Sequence, residues 1–341
     1  MTRPLRVLIV RVGAMGDVLH GLPAVAALRE ALPNCFIGWA VEPKWRVLLG
    51  APVVDKVHEV PTREWKKRPF SRETLREIVA LRRELRGEKY HICVDLQGSI
   101  RSAVIGRMSG AKRFVGELHP REWPAAQLYD QRVDISPRNV IKRACQLIWA
   151  ACGLEKPLIP ARVTIPCTAV WEGGEGFVFV VPGAGWGAKE WPVERYRELV
   201  MRLVERGFSV VVNGQGATHS SERARRIAGE AGRVADVGLE ELVELTRRAA
   251  LVIGGDTGPV HLGAALGRPT VAIFGPTDPE RNGPAFVGSR VKVIRNAASR
   301  NDYKRHAETE VGLARVTVEE VLAAALAIMG VGTDSKSVPG D

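Results

Sequence analysis

Residues 254–279 carry the densest chemistry in the chain. They run Gly254-Gly255-Asp256-Thr257-Gly258-Pro259-Val260-His261-Leu262, continue Ala264-Ala265-Leu266-Gly267, and end Phe274-Gly275-Pro276-Thr277-Asp278-Pro279. The apolar run 251–253 predicts a strand, the Asp-Thr-Gly triplet a turn, and the small residues after it a helix. Gly255 and Gly258 let the backbone approach a ligand closely because no Cβ intervenes. The first turn of the helix offers free N–H groups and a partial positive charge, which suit an anion. Asp256 adds a carboxylate acceptor at the same spot, suited to sugar hydroxyls rather than to phosphate. An anion site beside a polyol site is what a nucleotide sugar requires. His261 shares this helix start, although a lone helical His is commonly structural.

Two further loops follow strand-like runs. The first is Arg11-Val12-Gly13-Ala14-Met15-Gly16-Asp17-Val18-Leu19-His20. Asp17 at a helix start has two readings: a cap for the helix, or a general base that accepts a proton from an attacking hydroxyl. The second loop is Pro182-Gly183-Ala184-Gly185-Trp186-Gly187-Ala188-Lys189-Glu190-Trp191-Pro192. Lys189, just before a helix that opens on Pro192, has the charge to neutralise a leaving diphosphate; a solvated surface Lys is its ordinary alternative. The first loop is not a G-x-G-x-x-G fingerprint; the spacing of the second could mimic a degenerate nicotinamide-binding turn, but the strand after it ends Val212-Asn213-Gly214 without the acid such a site needs, and no G-x-x-x-x-G-K-[ST] phosphate loop occurs.

The elements that must position these loops alternate along the chain. Strand patterns at 7–12, 36–41, 53–60 and 91–96 enclose helical patterns at 17–32 and 72–86. The second half repeats the logic, with strands at 177–181, 208–212, 251–253 and 270–274 and helices at 193–206, 220–229, 239–248 and 317–329. This alternation predicts an α/β protein with doubly wound parallel sheets. Residues 155–176, rich in Pro and Gly, read as a linker. The expected division is a first Rossmann-like domain at 1–160, a second at 161–330 and a disordered tail at 331–341. Ligands in such sheets sit beyond the carboxyl ends of the strands, so two such edges facing one another would form an interdomain cleft.

Length and composition agree. A chain of 341 residues with 45% hydrophobic and 26% charged content suffices for two globular domains. No apolar run reaches the roughly 20 residues needed to cross a bilayer, and no cleavable leader pattern opens the chain. The five cysteines lack a C-x-x-C pair and read as buried thiols. The net charge of +11 fits an anionic lipid or acidic saccharide, or equally the Arg-rich codon usage of a GC-rich genome. Basic clusters stand at Arg63, Lys66, Lys67, Arg68 and at Arg101, Arg107, Lys112, Arg113. Solvated faces would explain them as well, and they lack the interleaved aromatics of a nucleic-acid surface, so no nucleic-acid partner is expected.

Taken together, Asp-Thr-Gly-x-x-His-Leu with Phe-Gly-Pro-Thr-Asp-Pro resembles the signature of glycosyltransferase family nine, the ADP-heptose:lipopolysaccharide heptosyltransferases. Met15-Gly16-Asp17-Val18-Leu19-His20 with Leu22-Pro23-Ala24, Asp95-Leu96-Gln97-Gly98 and Lys189-Glu190-Trp191-Pro192 fall in the family's order. The first of these and Arg63-Glu64-Trp65-Lys66-Lys67 are most similar to the branch that adds the first heptose to Kdo. The resemblance implies a GT-B fold and inverting, metal-independent transfer without a cofactor. It implies an ADP-heptose donor and a Kdo-lipid A acceptor, met by a cytoplasmic protein at the inner face of the inner membrane.

Carried over residue by residue, the resemblance makes Asp17 the base and Lys189 the diphosphate holder. Asp256 would bind heptose hydroxyls, Thr257 and Gly258 would give N–H groups to phosphate, and Gly183 and His261 would complete the donor side. Gly16, Arg63, Lys66, Lys67, Gln97, Arg101 and Arg121 would face the acceptor, the arginines meeting carboxylates and phosphates. Two departures stand out: Thr218 where the family carries an acidic ribose partner, and Asn139 where it carries a His. The alternatives are a transferase of the second-heptose type, a nucleotide-sugar epimerase on the same architecture, a non-catalytic sugar or lipid binder, and, last, a nicotinamide dehydrogenase.

Overall fold

A computed structural model describes residues 4–214, 220–302 and 306–331. Thr218 and the expected tail from residue 332 onward lie outside the described residues. The chain divides into two compact units, Met1–Pro166 and Cys167–Asp341.

Unit 1 holds strands β1 (Arg6–Val10), β2 (Phe36–Val41), β3 (Lys56–Glu59), β4 (Ile92–Asp95), β5 (Arg113–Glu117) and β6 (Gln131–Val133). They form one parallel sheet in the order β3-β2-β1-β4-β5-β6. Its helices are α1 (Met15–Ala31), α2 (Thr62–Lys67), α3 (Arg72–Gly87), α4 (Ile100–Met108) and α5 (Val140–Cys152). Side chains alternate across a strand, so Leu8 and Val10 of β1 enter a core with Leu81 and Leu85 of α3 and Ala103 and Ile105 of α4. Val7 and Ile9 point to the opposite face, and α1 packs against α5.

Unit 2 repeats the plan. Its strands are β7 (Val178–Val181), β8 (Val210–Asn213), β9 (Arg233–Ala235), β10 (Leu251–Gly255), β11 (Thr270–Phe274) and β12 (Val291–Arg295). Their order is β12-β11-β10-β7-β8-β9, again parallel. Helices α6 (Val193–Val204), α7 (Ser220–Ala228), α8 (Leu239–Arg248), α9 (Gly258–Ala265), α10 (Pro279–Asn282), α11 (Val311–Arg315) and α12 (Val318–Met329) accompany them. One face of the sheet buries Val178, Val180, Ile253 and Val271 with α6 and α12 side chains.

The doubly wound reading therefore holds in both halves, with local corrections. The strand expected at 53–60 spans only Lys56–Glu59, because the N–H groups of Val53 and Val54 turn back onto the Gly50 carbonyl at 3.1 and 3.0 Å. The alternation did not reveal β5, β6, β9 or β12, nor helices α2, α4, α5, α10 and α11. No helix among the described residues is long and apolar enough to cross a membrane.

Candidate functional site

In each unit the chain leaves the first strand, builds outward to one side, then returns to the other side of that strand. The crevice beyond the carboxyl ends at this switch point is where doubly wound sheets bind ligands. In unit 1 the switch lies between β1 and β4, in unit 2 between β7 and β10. Register places Val10 beside Asp95, so Arg11 and Leu96 leave the sheet together. It likewise places Gly254 beside Val181 and Gly255 beside Ile273, so Asp256 emerges next to the loops after β7 and β11.

At the unit 1 switch point, Asp17 is the third residue of α1 and Ala14 occupies the cap position. The capping reading is thus corrected by three residues: Asp17 is not the cap, though its Oδ2 accepts the Ala14 N–H at 3.3 Å. Oδ1 pairs with Arg11 Nη2 at 3.0 Å, and Gln97 Nε2 donates to Oδ2 at 3.4 Å. Burial pushes the Asp17 carboxyl up, but the Arg11 guanidinium, the neighbouring His20 and these donors outweigh it and hold it below the usual carboxylate value. Its side chain stays 34% exposed. Gln97 accepts the Gly13 N–H at 2.8 Å. A Cβ at Gly13 would stand 2.3 Å from Asp17 Oδ2, so only glycine leaves room for the carboxylate.

Asp95 shapes the Gln97 turn from beneath. Its Oδ1 accepts the N–H groups of Gln97 and Gly98 at 2.8 and 3.1 Å, and its Oδ2 accepts the hydroxyls of Ser102 and Tyr129 at 2.9 Å each. Burial raises the Asp95 carboxyl in spite of these four bonds.

The other acceptor candidates gather in part. Arg101 Nη1 donates to Thr62 Oγ1 at 2.9 Å, Thr62 donates to Glu42 Oε2 at 2.7 Å, and the Arg63 N–H meets Glu42 Oε1 at 3.1 Å. Glu42 and Thr62 thereby stitch the starts of α2 and α4 together, a pair that no local motif announces. Arg121 follows Pro120, which packs against Gly98, and its side chain is exposed. Gly16 is half-buried in the first turn of α1. Lys66 and Lys67 are exposed on α2, and Lys67 Nζ pairs with Glu64 at 2.7 Å. No described hydrogen bond ties either lysine to Asp17. Asn139 caps α5, its Oδ1 accepting the Ile141 N–H at 3.1 Å, which gives it a structural task.

At the unit 2 switch point the polar groups converge on Asp256. Its Oδ1 meets His261 Nε2 at 2.9 Å; its Oδ2 accepts from Thr277 Oγ1 at 2.7 Å and pairs with Lys189 Nζ. The Asp256 side chain is 6% exposed. Burial alone would push this carboxyl up, but the His261 hydrogen bond and the Lys189 charge hold it far below the usual carboxylate range. Lys189 Nζ also lies 4.4 Å from the Trp186 ring centroid, within cation–π reach. Gly255 lets the Lys189 loop come close: a Cβ there would sit 3.1 Å from the Lys189 carbonyl. Thr257 caps α9 and Gly258 opens it, so their N–H groups stand at the helix start beside Asp256. Gly183, half-buried, lies just past β7. Thr277 belonged to the Phe-Gly-Pro-Thr-Asp-Pro motif without an assigned part; the fold brings it to Asp256. Among the described residues no cluster of three or more His, Cys, Asp or Glu side chains is placed to hold a metal ion.

This arrangement has relatives. Residues 78–313 match the model of glycosyltransferase family 9 (heptosyltransferase). The chain is 33% identical to lipopolysaccharide heptosyltransferase 1 of Escherichia coli K12, over 81% of this chain and 89% of that one. The structure of E. coli heptosyltransferase WaaC with ADP superposes with a TM-score of 0.81 at 29% identity, covering 93% of this chain and 98% of that one. The same enzyme with ADP-2-deoxy-2-fluoro heptose gives 0.79 at the same identity and coverage.

Proposed function

The chain belongs to glycosyltransferase family 9, the heptosyltransferases, and from that premise we propose that it moves heptose from ADP-L-glycero-D-manno-heptose to Kdo of the lipopolysaccharide inner core. The observation that carries this reading is the Lys189–Asp256–Thr277–His261 cluster set against the start of α9 at the unit 2 switch point. It combines a fixed cation, free helix N–H groups and a carboxylate, which together suit a sugar diphosphate.

On the donor side, Lys189 and the N–H groups of Thr257 and Gly258 hold the diphosphate. A carboxylate has about four lone-pair positions; three in Asp256 are occupied, which leaves one for a heptose hydroxyl. His261 orients Asp256, and Gly183 gives the donor room. On the acceptor side, Gly16 and Gln97 border the attacking hydroxyl, and Arg63, Lys66, Lys67, Arg101 and Arg121 meet acidic groups of Kdo-lipid A.

In the reaction, a Kdo hydroxyl oxygen bonds to heptose C1 as the bond from C1 to the diphosphate oxygen breaks. The hydroxyl proton passes to Asp17, and the electron pair leaves with ADP, stabilised by Lys189 and the α9 dipole. A single displacement of this kind inverts the anomeric centre and draws its positive charge from protein groups rather than from a divalent cation. The acceptor's lipid implies work at a bilayer surface, the inner face of the inner membrane.

Mass spectrometry of Kdo-lipid A incubated with ADP-heptose and the protein, with EDTA present, tests this. The expected result is a gain of one heptose at an undiminished rate. No gain while ADP-heptose still binds would direct the search to an already heptosylated acceptor; no gain and no binding would overturn the donor assignment.

A further inference from the structure

Helix α3 sorts its residues into three stripes. Arg72, Leu75, Arg76, Val79 and Arg83 follow the i, i+3, i+4, i+7, i+11 spacing of one helix face. Glu73, Glu77 and Glu84 repeat that spacing one residue on, and Thr74, Leu81 and Leu85 form the buried stripe. The acids are all engaged within unit 1. Glu73 pairs with Arg68, Glu77 accepts the Trp65 indole N–H at 2.8 Å, and Glu84 meets His58 Nδ1 at 2.6 Å. The outward face is therefore basic and apolar at once, with no carboxylate in it. Leu75 is 54% exposed and Val79 46%, and Phe70, just before the helix, is 92% exposed. Arg82 and Arg86 flank the stripe, both exposed.

The surface continues. Helix α4 packs beside α3 and exposes Ile100 and Val104. The cap of α4, Ser99, stands two residues after Gln97, which touches Asp17.

We infer that the α3–α4 face of unit 1 docks on the surface of an anionic phospholipid bilayer, with the Phe70, Leu75 and Val79 side chains entering the interface and the arginines meeting lipid phosphates. A helix with a basic border and exposed apolar residues lies in a membrane interface for both reasons at once. A nucleic-acid backbone would use the arginines but has no use for Leu75, Val79, Ile100 and Val104. A second copy would bring the same positive charge against itself. The inference rests on the proposed lipid-anchored acceptor for its biological sense: docking through α4 would set the Asp17 end of the sheet beside the bilayer.

Co-sedimentation with vesicles tests the face without donor or acceptor. The protein is expected to sediment with vesicles of phosphatidylcholine mixed with phosphatidylglycerol, to ignore vesicles of phosphatidylcholine alone, and to be released by salt. Each arginine near such a surface contributes about fivefold in partitioning, so the combined Arg72→Gln, Arg76→Gln and Arg83→Gln variant should lose at least about tenfold. Phe70→Ser with Leu75→Ser should weaken sedimentation with the mixed vesicles although the charge is unchanged; both residues are exposed, and circular dichroism checks the fold. On detergent-dispersed acceptor the arginine variant should transfer at the wild-type rate, and on vesicle-embedded acceptor more slowly. An arginine variant that sediments like the wild type overturns the inference, as does an RNA duplex bound equally well through the same three arginines. Failed transfer with intact vesicle binding would count against the proposed reaction and leave this face standing.

Discussion

Two carboxylates stand at the two switch points, Asp17 in the first turn of the helix after β1 and Asp256 directly after β10, and they are held in opposite ways. Asp17 is a third exposed, and its Oδ2 bonds from Ala14 and Gln97 are long, at 3.3 and 3.4 Å. Asp256 is almost wholly buried, with His261 and Thr277 at 2.9 and 2.7 Å and Lys189 closing on it. A group that takes a proton from a substrate must be reachable and keep an oxygen loosely engaged. A group that fixes a cation gains from tight bonds and low dielectric. On the proposed reaction, the same residue type on the two flanks of a switch point serves motion of a proton in one unit and immobility of a charge in the other.

That contrast can be broken at three points. The largest effect is expected for Asp17→Asn, which keeps size and fold but removes the proposed base. Transfer should fall by about a hundredfold or more, while ADP binding by calorimetry is unchanged and stability moves by less than about 1 kcal/mol. Near-normal transfer would take Asp17 out of the reaction.

Asp256→Asn should do the reverse in kind. It leaves Lys189 without its counter-ion in a buried place, so urea unfolding should report a loss of about 3 kcal/mol, together with weaker ADP binding. If stability held and only transfer dropped, Asp256 would be acting on substrate rather than anchoring Lys189.

The smallest effect concerns pH. The folded Asp17 carboxyl lies below its unfolded value, so its ionised form is favoured above the usual carboxylate value of about 4 and the benefit disappears only as the pH falls through the lower, folded value. Arg11→Gln removes the main opposition to burial, and the carboxyl rises. The rate at pH 5 relative to pH 8 should therefore drop in the variant and hold in the parent enzyme. An unchanged ratio would mean that Arg11 does not control this carboxylate.

Much of this was legible in the sequence wherever an apolar run met glycine. The strands before Arg11, Lys189 and Asp256 announce themselves because a central parallel strand is buried on both faces and reads as an unbroken apolar run. Edge strands carry no such run: β12 exposes Lys292 and Val293, and β6 exposes Arg132, so their periodicity is lost in solvent-facing residues. The site followed the same divide. Asp17, Lys189 and Asp256 were visible from their loops, but that Lys189 rests on Asp256, 67 residues away, is a product of the β7–β10 pairing. Arg11 stood in the motif without a part until the helix turn brought Asp17 back to it. Glu42 and Thr62, 20 residues apart, become neighbours only because β2 and β3 lie side by side.

Gly13 bears on how this protein tolerates change. The atoms that a new methyl group would meet there are tips of side chains, Asp17 Oδ2 at 2.3 Å and the Gln97 amide Nε2 and Oε1 at 2.8 Å, not backbone. Gly13→Ala would therefore fold, express and bind nucleotide while turning the carboxylate aside. Variation at that position is filtered by chemistry rather than by stability, and a survey that scores only folded protein would record it as harmless.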